Sequence, residues 1–428
     1  MTDLLRQSLT LPCGSVIPNR LVKAAMTEGL ATAQGVPTPE LDRLYGLWSD
    51  GGAGALITGN IQVDRDHLER PGNVIIDGQP DEELRTALAR WAANATSNGN
   101  QLWAQISHAG RQTPKAVNAR PKAPSAVSLD IPGGQFGTPI EISIPEIESV
   151  VKRFAIAAAA CQEAGFSGIQ IHGAHGYLVS QFLSPRINQR QDRYGGELQN
   201  RARILLEIVA AIRAAVGPDF PVMAKLNSAD FQKGGFAFAD SLQVAQWLEQ
   251  AGIDLIEISG GTYEQPRMMQ LAGLEEPDLQ QMKQSTRARE AYFVDFALAM
   301  QEKVNIPLMV TGGLRRRDAM EQVLESGSAQ LIGIGRPMCV EADAPRQLLD
   351  GLDELTRYED QLALLPGWLS FLEKVPLVKV LSTFSTMYWF YTQMYALAEQ
   401  GEPDAGLSVF AATREVMKRE RMLLKERA

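Results

Sequence analysis

Short apolar runs rich in β-branched residues alternate along the chain with longer amphipathic segments. The short runs predict eight strands, at Arg20–Met26, Ala55–Val63, Gln101–His108, Gly168–Gly173, Pro221–Asn227, Leu255–Ser259, Pro307–Thr311 and Leu331–Gly335. The longer segments predict helices at Glu40–Ser49, Asp81–Thr96, Pro145–Ala164, Gln199–Ala215, Ser241–Gln250, Glu290–Lys303 and Arg317–Leu324. Eight strands alternating with helices predict an α/β fold, a (β/α)8 TIM barrel. An open doubly wound sheet is the alternative, and no nucleotide-binding fingerprint follows the first strand to favour it.

The alternation ends near residue 345, which divides the chain into two predicted parts. Residues 1–345 form the barrel, with a short hairpin at Leu9–Ile17 that closes its bottom. Residues 346–428 form a helical C-terminal extension, with a helix at Ser408–Glu426. We expect its aromatic cluster Tyr388–Tyr391 to be buried against the barrel or a second subunit, which leaves a homo-oligomer open. The uncharged run Val380–Ala398 contains several hydroxyl and amide side chains, so a membrane span is disfavoured.

Composition and charge narrow the classes of partner. The 428 residues include 41 Lys and Arg against 50 Asp and Glu, a net charge of −9, which disfavours nucleic acid as the main partner. Cys13, Cys161 and Cys339 are too far apart for a disulfide framework, a zinc motif or an iron–sulfur motif. The start of the sequence lacks the basic and apolar pattern of a signal peptide, so we expect a cytoplasmic location.

The richest candidate chemistry follows the fourth predicted strand. His172, His175 and Tyr177 lie where that strand enters a glycine-bearing loop, at the barrel end that carries chemistry. Two imidazoles and a phenol there suit the binding of an oxyanion or carbonyl and the donation of a proton. Zinc ligation is a rival interpretation, but no third ligand is near in sequence. Packing of both histidines in the hydrophobic core is the third interpretation.

Three further features are candidates for ligand binding. Lys225 stands in an otherwise apolar strand, where it pairs with an anionic ligand, pairs with a partner carboxylate or faces solvent at the strand end. Gln105 offers a buried amide in the third strand, either for a ligand or as a core glutamine whose hydrogen bonds are satisfied within the protein. Glycines follow the seventh and eighth strands (Gly312, Gly313, Gly335), and with Arg336 they suit a phosphate.

Taken in order, the motifs of residues 5–345 resemble the old yellow enzymes, which are FMN-dependent NAD(P)H:flavin oxidoreductases or ene-reductases. The resemblance is carried by Asn19-Arg20-Leu21-Val22, His108-Ala109-Gly110-Arg111, His172-Gly173-Ala174-His175-Gly176-Tyr177, Phe182-Leu183-Ser184-Pro185, Asp192-Arg193-Tyr194-Gly195-Gly196, Gly312-Gly313 and Gly335-Arg336-Pro337. It implies FMN at the barrel mouth, NADPH or NADH as reductant, and ping-pong reduction of activated C=C bonds in α,β-unsaturated carbonyl compounds.

The resemblance also implies roles for individual residues. Ala25, Met26 and Thr27 would line the flavin ring, with Thr27 bonded to its O4 edge. Gly59 and Gln105 would contact the ring, Lys225 its N1 and O2 edge, and Gly312, Gly313, Gly335 and Arg336 the phosphate. His172 and His175 would hold the carbonyl oxygen of the substrate, and Tyr177 would protonate its α-carbon. A free tyrosine has a pKa of about 10, so it is protonated at neutral pH as a proton donor must be.

Two departures from the family pattern stand out. Many members have arginine where this chain has Lys225, so the flavin contacts differ in geometry. The segment Tyr263–Ala291 is long, and we expect it to shape one wall of the substrate pocket.

Two alternative functions remain open. One is flavin-dependent oxidation or demethylation on the same barrel, and the other is a non-catalytic flavin-binding protein. Only Cys339 follows the barrel, which disfavours the larger relatives that carry an iron–sulfur cluster.

Overall fold

The structure is a computed structural model that describes residues 3–129, 131–261, 293–365 and 367–427. Eight parallel strands form its main sheet: β1 (Leu21–Lys23), β2 (Ala55–Ile57), β3 (Gln101–Ser107), β4 (Gly168–Gly173), β5 (Val222–Asn227), β6 (Leu255–Ser259), β7 (Leu308–Thr311) and β8 (Leu331–Ile334). The α-helices are α1 (Pro39–Asp50), α2 (Glu82–Ala95), α3 (Ile144–Glu163), α4 (Leu178–Leu183), α5 (Leu198–Val216), α6 (Phe238–Gln250), α7 (Val294–Gln301), α8 (Arg317–Glu325), α9 (Ala344–Leu349), α10 (Pro376–Gln400) and α11 (Val409–Arg427).

The main sheet closes on itself. Each strand from β3 to β7 pairs with the next one along the chain. The circle is completed by the pairing of β8 with β1, of β1 with β2 and of β2 with β3. All of these pairings are parallel. Because each strand has a partner on both sides, the sheet has no open edge. The predicted (β/α)8 TIM barrel is confirmed, and the open doubly wound sheet is excluded.

Two separate apolar cores hold the barrel together. One fills its interior, where Trp103, Met223 and Leu255 meet apolar side chains from β1, β2, β7 and β8. The hairpin of Leu9–Thr10 and Val16–Ile17 supplies Leu11 and Ile17 to that core, so it closes the barrel as predicted. The larger core lies between the outer faces of the strands and the helices. Alternate residues of the strands other than β4 therefore serve different cores, as the two-residue period of a strand requires, and the inward positions of β4 are the polar Gln170 and His172.

The helix boundaries follow the capping residues closely. Thr38 accepts a hydrogen bond from the backbone N–H of Leu41 and precedes Pro39 at the first position of α1. Asp81 caps α2 in the same way through Leu84. The predicted strand Ala55–Val63 is divided in two, since Ile61–Gln62 forms a short separate strand beside β3. Helix α4 is additional to the predicted helices; its six residues are too few for a clear helical period.

The C-terminal extension packs on the barrel. Trp389 and Phe390 of the predicted aromatic cluster are buried in the larger core, whereas Tyr388 and Tyr391 are half-buried against it. Arg43 of α1 donates to the carbonyl of Ala398 in α10. Helix α9 runs across residue 345, and the division into parts at that position stays a prediction.

Among the helices of the described residues, α10 included, none has the length and apolarity needed to cross a membrane. The pocket wall predicted at Tyr263–Ala291 lies outside the described residues.

Candidate active site

A cavity of about 360 Å³ lies at the carboxyl ends of the barrel strands, where this fold carries its chemistry. Its lining contains every predicted site residue except Gly59, namely Ala25, Met26, Thr27, Gln105, His172, His175, Tyr177, Lys225, Gly312, Gly313, Gly335 and Arg336. The folded chain thus brings residues from widely separated strand ends into one cavity. A volume of this size falls in the range of about 300–1,000 Å³ that is typical of small-molecule sites.

Gly59 lies behind the cavity wall. Its backbone N–H donates to Glu28 Oε1 at 3.0 Å, and a Cβ placed on it would come 2.5 Å from the carbonyl oxygen of Met26. Only glycine therefore lets this turn approach the segment of Met26 and Thr27. The next residue, Asn60, lines the cavity instead. A direct contact of Gly59 with a flavin ring stays a prediction.

The two histidines form one hydrogen-bonded series with Ser259. Ser259 Oγ lies 2.6 Å from His175 Nε2, and His175 Nδ1 lies 3.2 Å from His172 Nε2. His175 has a positive φ of 61°, and the side chain of Asn227 accepts from its backbone N–H at 3.1 Å. The ring of Tyr177 lies 4.6 Å from that of His172, centroid to centroid. The strand end thus presents two imidazoles and a phenol side by side.

Burial and a nearby charge keep both imidazoles neutral. Desolvation lowers the pKa of His172 and of His175 well below its ordinary value, and the ammonium of Lys225 lowers both pKa values further. The Nδ1 atom of His172 is buried and has no hydrogen-bond partner among the described residues. If Ser259 donates to His175 and His175 donates to His172, the one N–H of His172 is left at that Nδ1 atom. The series can therefore offer one unused donor.

Buried polar side chains form a second series across β3 to β6. Gln105 Nε2 donates to Gln170 Oε1 at 2.6 Å, and Gln170 Nε2 donates to Glu257 Oε2 at 2.8 Å. Lys225 Nζ lies 2.9 Å from Glu257 Oε1. The partner carboxylate that the sequence left open for Lys225 is therefore present, and Lys225 also lines the cavity. Glu257 is absent from the predicted site residues, although a lone charge in the apolar strand Leu255–Ser259 is the same signal that identified Lys225.

The glycines after β7 and β8 leave backbone exposed to the cavity. Gly312 and Gly313 have φ values of 114° and 82°, which residues with a side chain rarely adopt. A Cβ on Gly333 would overlap the hydroxyl of Thr311, and nothing lies within 4 Å of a Cβ on Gly335. The backbone can therefore approach a ligand closely at this end of the cavity.

Two arginines flank these glycines. Arg315 Nη2 lies 2.9 Å, and Arg336 Nη2 lies 3.2 Å, from Glu359 Oε1 in the extension. Burial lowers the pKa of both guanidinium groups, and the charge of Glu359 opposes that change. Both arginines line the cavity, so this end carries two cations. The sequence analysis missed Arg315, which is the first residue of a basic triplet just after the glycine pair.

The residues present fit FMN. Its phosphate needs cationic donors and accessible backbone N–H groups, and Arg315, Arg336 and the glycines offer both. The edge of its ring that becomes anionic on reduction needs a cation and an amide, and Lys225 and Gln105 offer those. The hydroxyl oxygen of Thr311 is also buried without a hydrogen-bond partner among the described residues, as expected of a group that faces a ligand.

The predicted contact of Thr27 with the flavin ring competes with a hydrogen bond inside the protein. Thr27 Oγ1 donates to Glu69 Oε2 at 2.7 Å, and the side-chain amide of Asn60 donates to the same carboxylate. A hydroxyl has one proton, so Thr27 cannot donate to Glu69 and to a flavin oxygen at once. Glu69 could not be singled out from the sequence, because one charged residue in a polar loop carries no distinguishing pattern. Asn60 is a polar residue within the apolar run Ala55–Val63, which is a signal that could have identified it.

A cluster of Asp64, His67 and His108 has the composition of a metal site. His67 Nε2 accepts from the backbone N–H of Lys122 at 2.8 Å, and His108 Nδ1 accepts from that of Gly110 at 3.1 Å. The nitrogens that face Asp64 are therefore the protonated ones in neutral rings. They lie 3.2 and 3.8 Å from the Asp64 carboxylate, which Arg153 also contacts at 2.8 Å. The lone pair on one nitrogen of each ring is thus already used by a backbone N–H, and the carboxylate is already paired with Arg153, an arrangement that does not suit a metal ion.

Comparison with known proteins agrees with this site. The chain matches the model of the NADH:flavin oxidoreductase / NADH oxidase family over residues 13–354. It is 36% identical over 359 residues to the NADH-dependent flavin oxidoreductase iliE of Hypocrea jecorina (strain QM6a), covering 80% of this chain and 88% of that protein. It is 39% identical over 363 residues to the iliE protein of Neonectria sp. (strain DH2), which covers 81% of this chain. The chain spans 47% of the length of that second relative.

Solved structures agree on the fold. The old yellow enzyme homologue from Zymomonas mobilis superposes with a TM-score of 0.68 at 22% identity, over 85% of this chain and 97% of that one. The resemblance seen in the sequence and the predicted cofactors, FMN with NADH or NADPH, are confirmed by the family match. From its strand-end motifs, its cavity and these relatives together, the chain belongs to the NADH:flavin oxidoreductase / NADH oxidase family.

Proposed function

We propose that this protein is an FMN-dependent NAD(P)H oxidoreductase that reduces the activated C=C bond of α,β-unsaturated carbonyl compounds. The observation that carries the proposal is the placement of His172, His175 and Tyr177 in the same cavity as Lys225 and the arginines suited to a phosphate. A binding protein would need the phosphate and ring contacts. It would not need a proton donor beside a pair of neutral imidazoles.

The histidines bind the carbonyl oxygen of the substrate. The unused N–H of His172 donates to that oxygen, and the series through His175 to Ser259 holds the ring in the tautomer that can do so. A hydrogen bond in a buried site is worth more than one in water. It draws electron density towards the oxygen and so leaves the β-carbon of the substrate more electrophilic.

FMN, when held by Lys225, Gln105, Arg315 and Arg336, would supply the hydride-transfer chemistry between NADH or NADPH and the β-carbon. Tyr177 supplies the matching proton to the α-carbon, so the C=C bond gains one hydride and one proton. A phenol is protonated at neutral pH and can act as that acid. The nicotinamide and the unsaturated compound take turns in the one cavity, which is a ping-pong sequence.

A small-molecule substrate and a cytoplasmic location belong to the same proposal. The location is supported by the three free cysteines, of which Cys161 and Cys339 are buried and Cys13 is partly exposed. Free thiols are the usual state in a reducing compartment.

The test is spectroscopic. We expect the purified protein to be yellow, to bleach on anaerobic addition of NADH or NADPH, and to regain its colour when 2-cyclohexenone is added. A protein that bleaches and does not recover with any enone would refute ene-reduction and leave the flavoprotein. A protein that is colourless and does not take up FMN would refute both.

The matched variant carries His172→Ala and His175→Ala together. We expect it to bind FMN and to bleach with the nicotinamide, because neither residue is assigned to the phosphate. Its recolouring by enone should be slower by roughly 100-fold or more, the scale of a lost oxyanion donor. Full enone turnover by this variant would remove the histidines from the mechanism.

A further inference from the structure

One face of helix α10 forms a wall of the catalytic cavity. Its lining residues are Thr383, Thr386, Met387, Phe390, Tyr391 and Met394, which recur at intervals of three and four positions. That spacing places them on one side of a helix. The same cavity is lined from the barrel by His172 and Tyr177. The extension is therefore part of the site and not an appendage to the barrel.

The chemistry of this wall is mainly apolar, and its polar groups are the hydroxyls of Thr383, Thr386 and Tyr391. Met387, Phe390 and Met394 offer thioether and ring surface, and none of the six residues carries a charge. The hydroxyl of Thr386 already donates to the carbonyl of Ser382 at 3.0 Å, so its proton needs no acceptor on a ligand. Phe390 is buried and its ring meets that of Trp389 edge to face at 5.2 Å, which fixes its orientation.

Arg70 fixes the wall to the barrel. Its guanidinium carbon lies 4.0 Å from the centre of the Tyr391 ring, and its Nη2 donates to the hydroxyl of Tyr395 at 2.9 Å. Its Nε donates to Glu420 of α11 at 3.0 Å. The preceding residue, Glu69, lines the cavity and binds Thr27. One arginine thus connects both helices of the extension to the loop that borders the proposed ring site.

We propose that this face of α10 is the specificity wall of the enzyme, selecting flat carbonyl compounds whose apolar, aromatic body extends beyond the enone itself. Phe390 and Met387 contact that body while the carbonyl is held at His172, and Arg70 is the positioning residue that holds the wall in place. The substrate class rests on the proposed ene-reductase function. A charged or strongly polar body would lose its hydration against this face without gaining a partner.

The test compares two probes, trans-chalcone and 2-cyclohexenone, in the FMN-loaded protein. We expect Met387→Ala and Phe390→Leu each to raise KM for trans-chalcone about tenfold, the effect of a lost aromatic or thioether contact, with KM for 2-cyclohexenone changed less than about twofold. Two variants are used because Phe390 is buried, whereas Met387 is half-buried and its truncation disturbs folding less. Leu381→Ala is the matched control, because Leu381 is on the same helix but is 52% exposed.

Arg70→Met tests the positioning role. We expect it to raise KM for trans-chalcone and leave kcat for either probe within about twofold, since it touches the wall and not the reacting atoms. A merely structural arginine would lower thermal stability without this split between the two probes.

The outcomes separate the two proposals. If both enones are turned over and every wall variant keeps the selectivity of Leu381→Ala, the specificity wall is refuted and the ene-reductase stands. If neither enone is turned over, the ene-reductase is refuted, and the dissociation constant of trans-chalcone, measured from the perturbation of the flavin absorption spectrum, still tests the wall. Equal binding by the wild type and Phe390→Leu, or no binding at all, would then refute the wall as well.

Discussion

Lys225 and Glu257 are register partners on β5 and β6, and Lys225 Nζ lies 2.9 Å from Glu257 Oε1. Their side chains are 2% and 0% exposed. On its other side Lys225 is the register partner of His172 on β4. One row of the barrel therefore places an anion, a cation and a neutral imidazole side by side. The charge of Lys225 is held by Glu257 and acts on the imidazoles.

Removing the anion of this pair should destabilise the folded protein strongly. We expect Glu257→Gln to lower the free energy of unfolding by about 3–5 kcal/mol, because it leaves the ammonium of Lys225 buried and unpaired. The double variant Lys225→Met, Glu257→Gln should lose less than the single variant, since no charge is stranded. Urea unfolding measures both. Glu399→Gln, which breaks the more exposed pair with Arg419, is the control and should cost no more than about 1 kcal/mol. Similar losses in all three proteins would show that the buried charge is not what matters.

Tyr177→Phe should separate the two halves of the proposed reaction. The ring and its position against His172 are kept, and only the acidic hydroxyl is removed. We expect bleaching by NADH or NADPH to keep its rate and recolouring by 2-cyclohexenone to slow by roughly 100-fold or more, as for loss of a general acid. Anaerobic stopped-flow absorbance follows each half separately. An equal loss in both halves would contradict the role of proton donor.

Lys23 should give the protein an unusual response to alkaline pH. Its ammonium donates to the carbonyl of Ile57 at 2.7 Å and lies 4.3 Å from the ring centre of Trp48, fully buried. Burial lowers the pKa of Lys23 from 10.5 to about 8, against the opposing charge of Glu28. Between those two values the unfolded chain binds more protons than the folded chain, so stability from this residue rises with pH.

The corresponding measurement is a comparison of the wild type with Lys23→Met. Relative to the variant, the wild type should gain about 3 kcal/mol in free energy of unfolding as the pH rises from 8 to 10.5. Taking the difference removes the contribution of the other lysines and tyrosines that titrate in this range. A difference that does not change with pH would show that Lys23 titrates normally in the folded protein.

Zinc should not stabilise this protein through the Asp64, His67 and His108 cluster. The other nitrogen of each ring already accepts a backbone hydrogen bond, so in the neutral rings the nitrogens that face the carboxylate carry the protons, and burial lowers the pKa of His108 to about 4. We expect no rise in the unfolding temperature on addition of zinc chloride or loss on addition of EDTA. Asp64→Asn should lower the unfolding temperature, because Arg153 loses its charged acceptor and both imidazoles lose the carboxylate beside them. A rise with zinc in the wild type that Asp64→Asn abolishes would establish a metal site.

The eight barrel strands could be predicted from the sequence because each is a short apolar run between turn residues, and burial on both faces leaves no other pattern. His172, His175 and Tyr177 could be found for a related reason. Polar residues at the end of an apolar strand are costly to bury and so indicate a function. Lys225 was found by the same argument. Glu257 met the same criterion in β6 and should have been found with it.

Glu69, Arg70 and Arg315 could not be singled out in this way. Each lies in a polar or basic stretch of sequence, where a charged side chain is unremarkable until the fold brings it beside a cavity or under a ring. The uncharged run of α10 carried a pattern, but the sequence left open whether it packs on the barrel, on a second subunit or in a membrane. Which of its faces meets the active site depends on contacts with Arg43 and Arg70 that lie more than 300 residues away along the chain.

The sequence by itself determined the barrel, the catalytic candidates at its strand ends and the family, because hydrophobic period and short motifs are local properties. Only the tertiary structure decided that Glu257 neutralises Lys225, that His172 keeps an unused nitrogen and that α10 forms a wall of the cavity. These facts depend on distances between residues far apart in sequence. Such distances are fixed when the closed sheet sets the register of its strands and the extension packs against it.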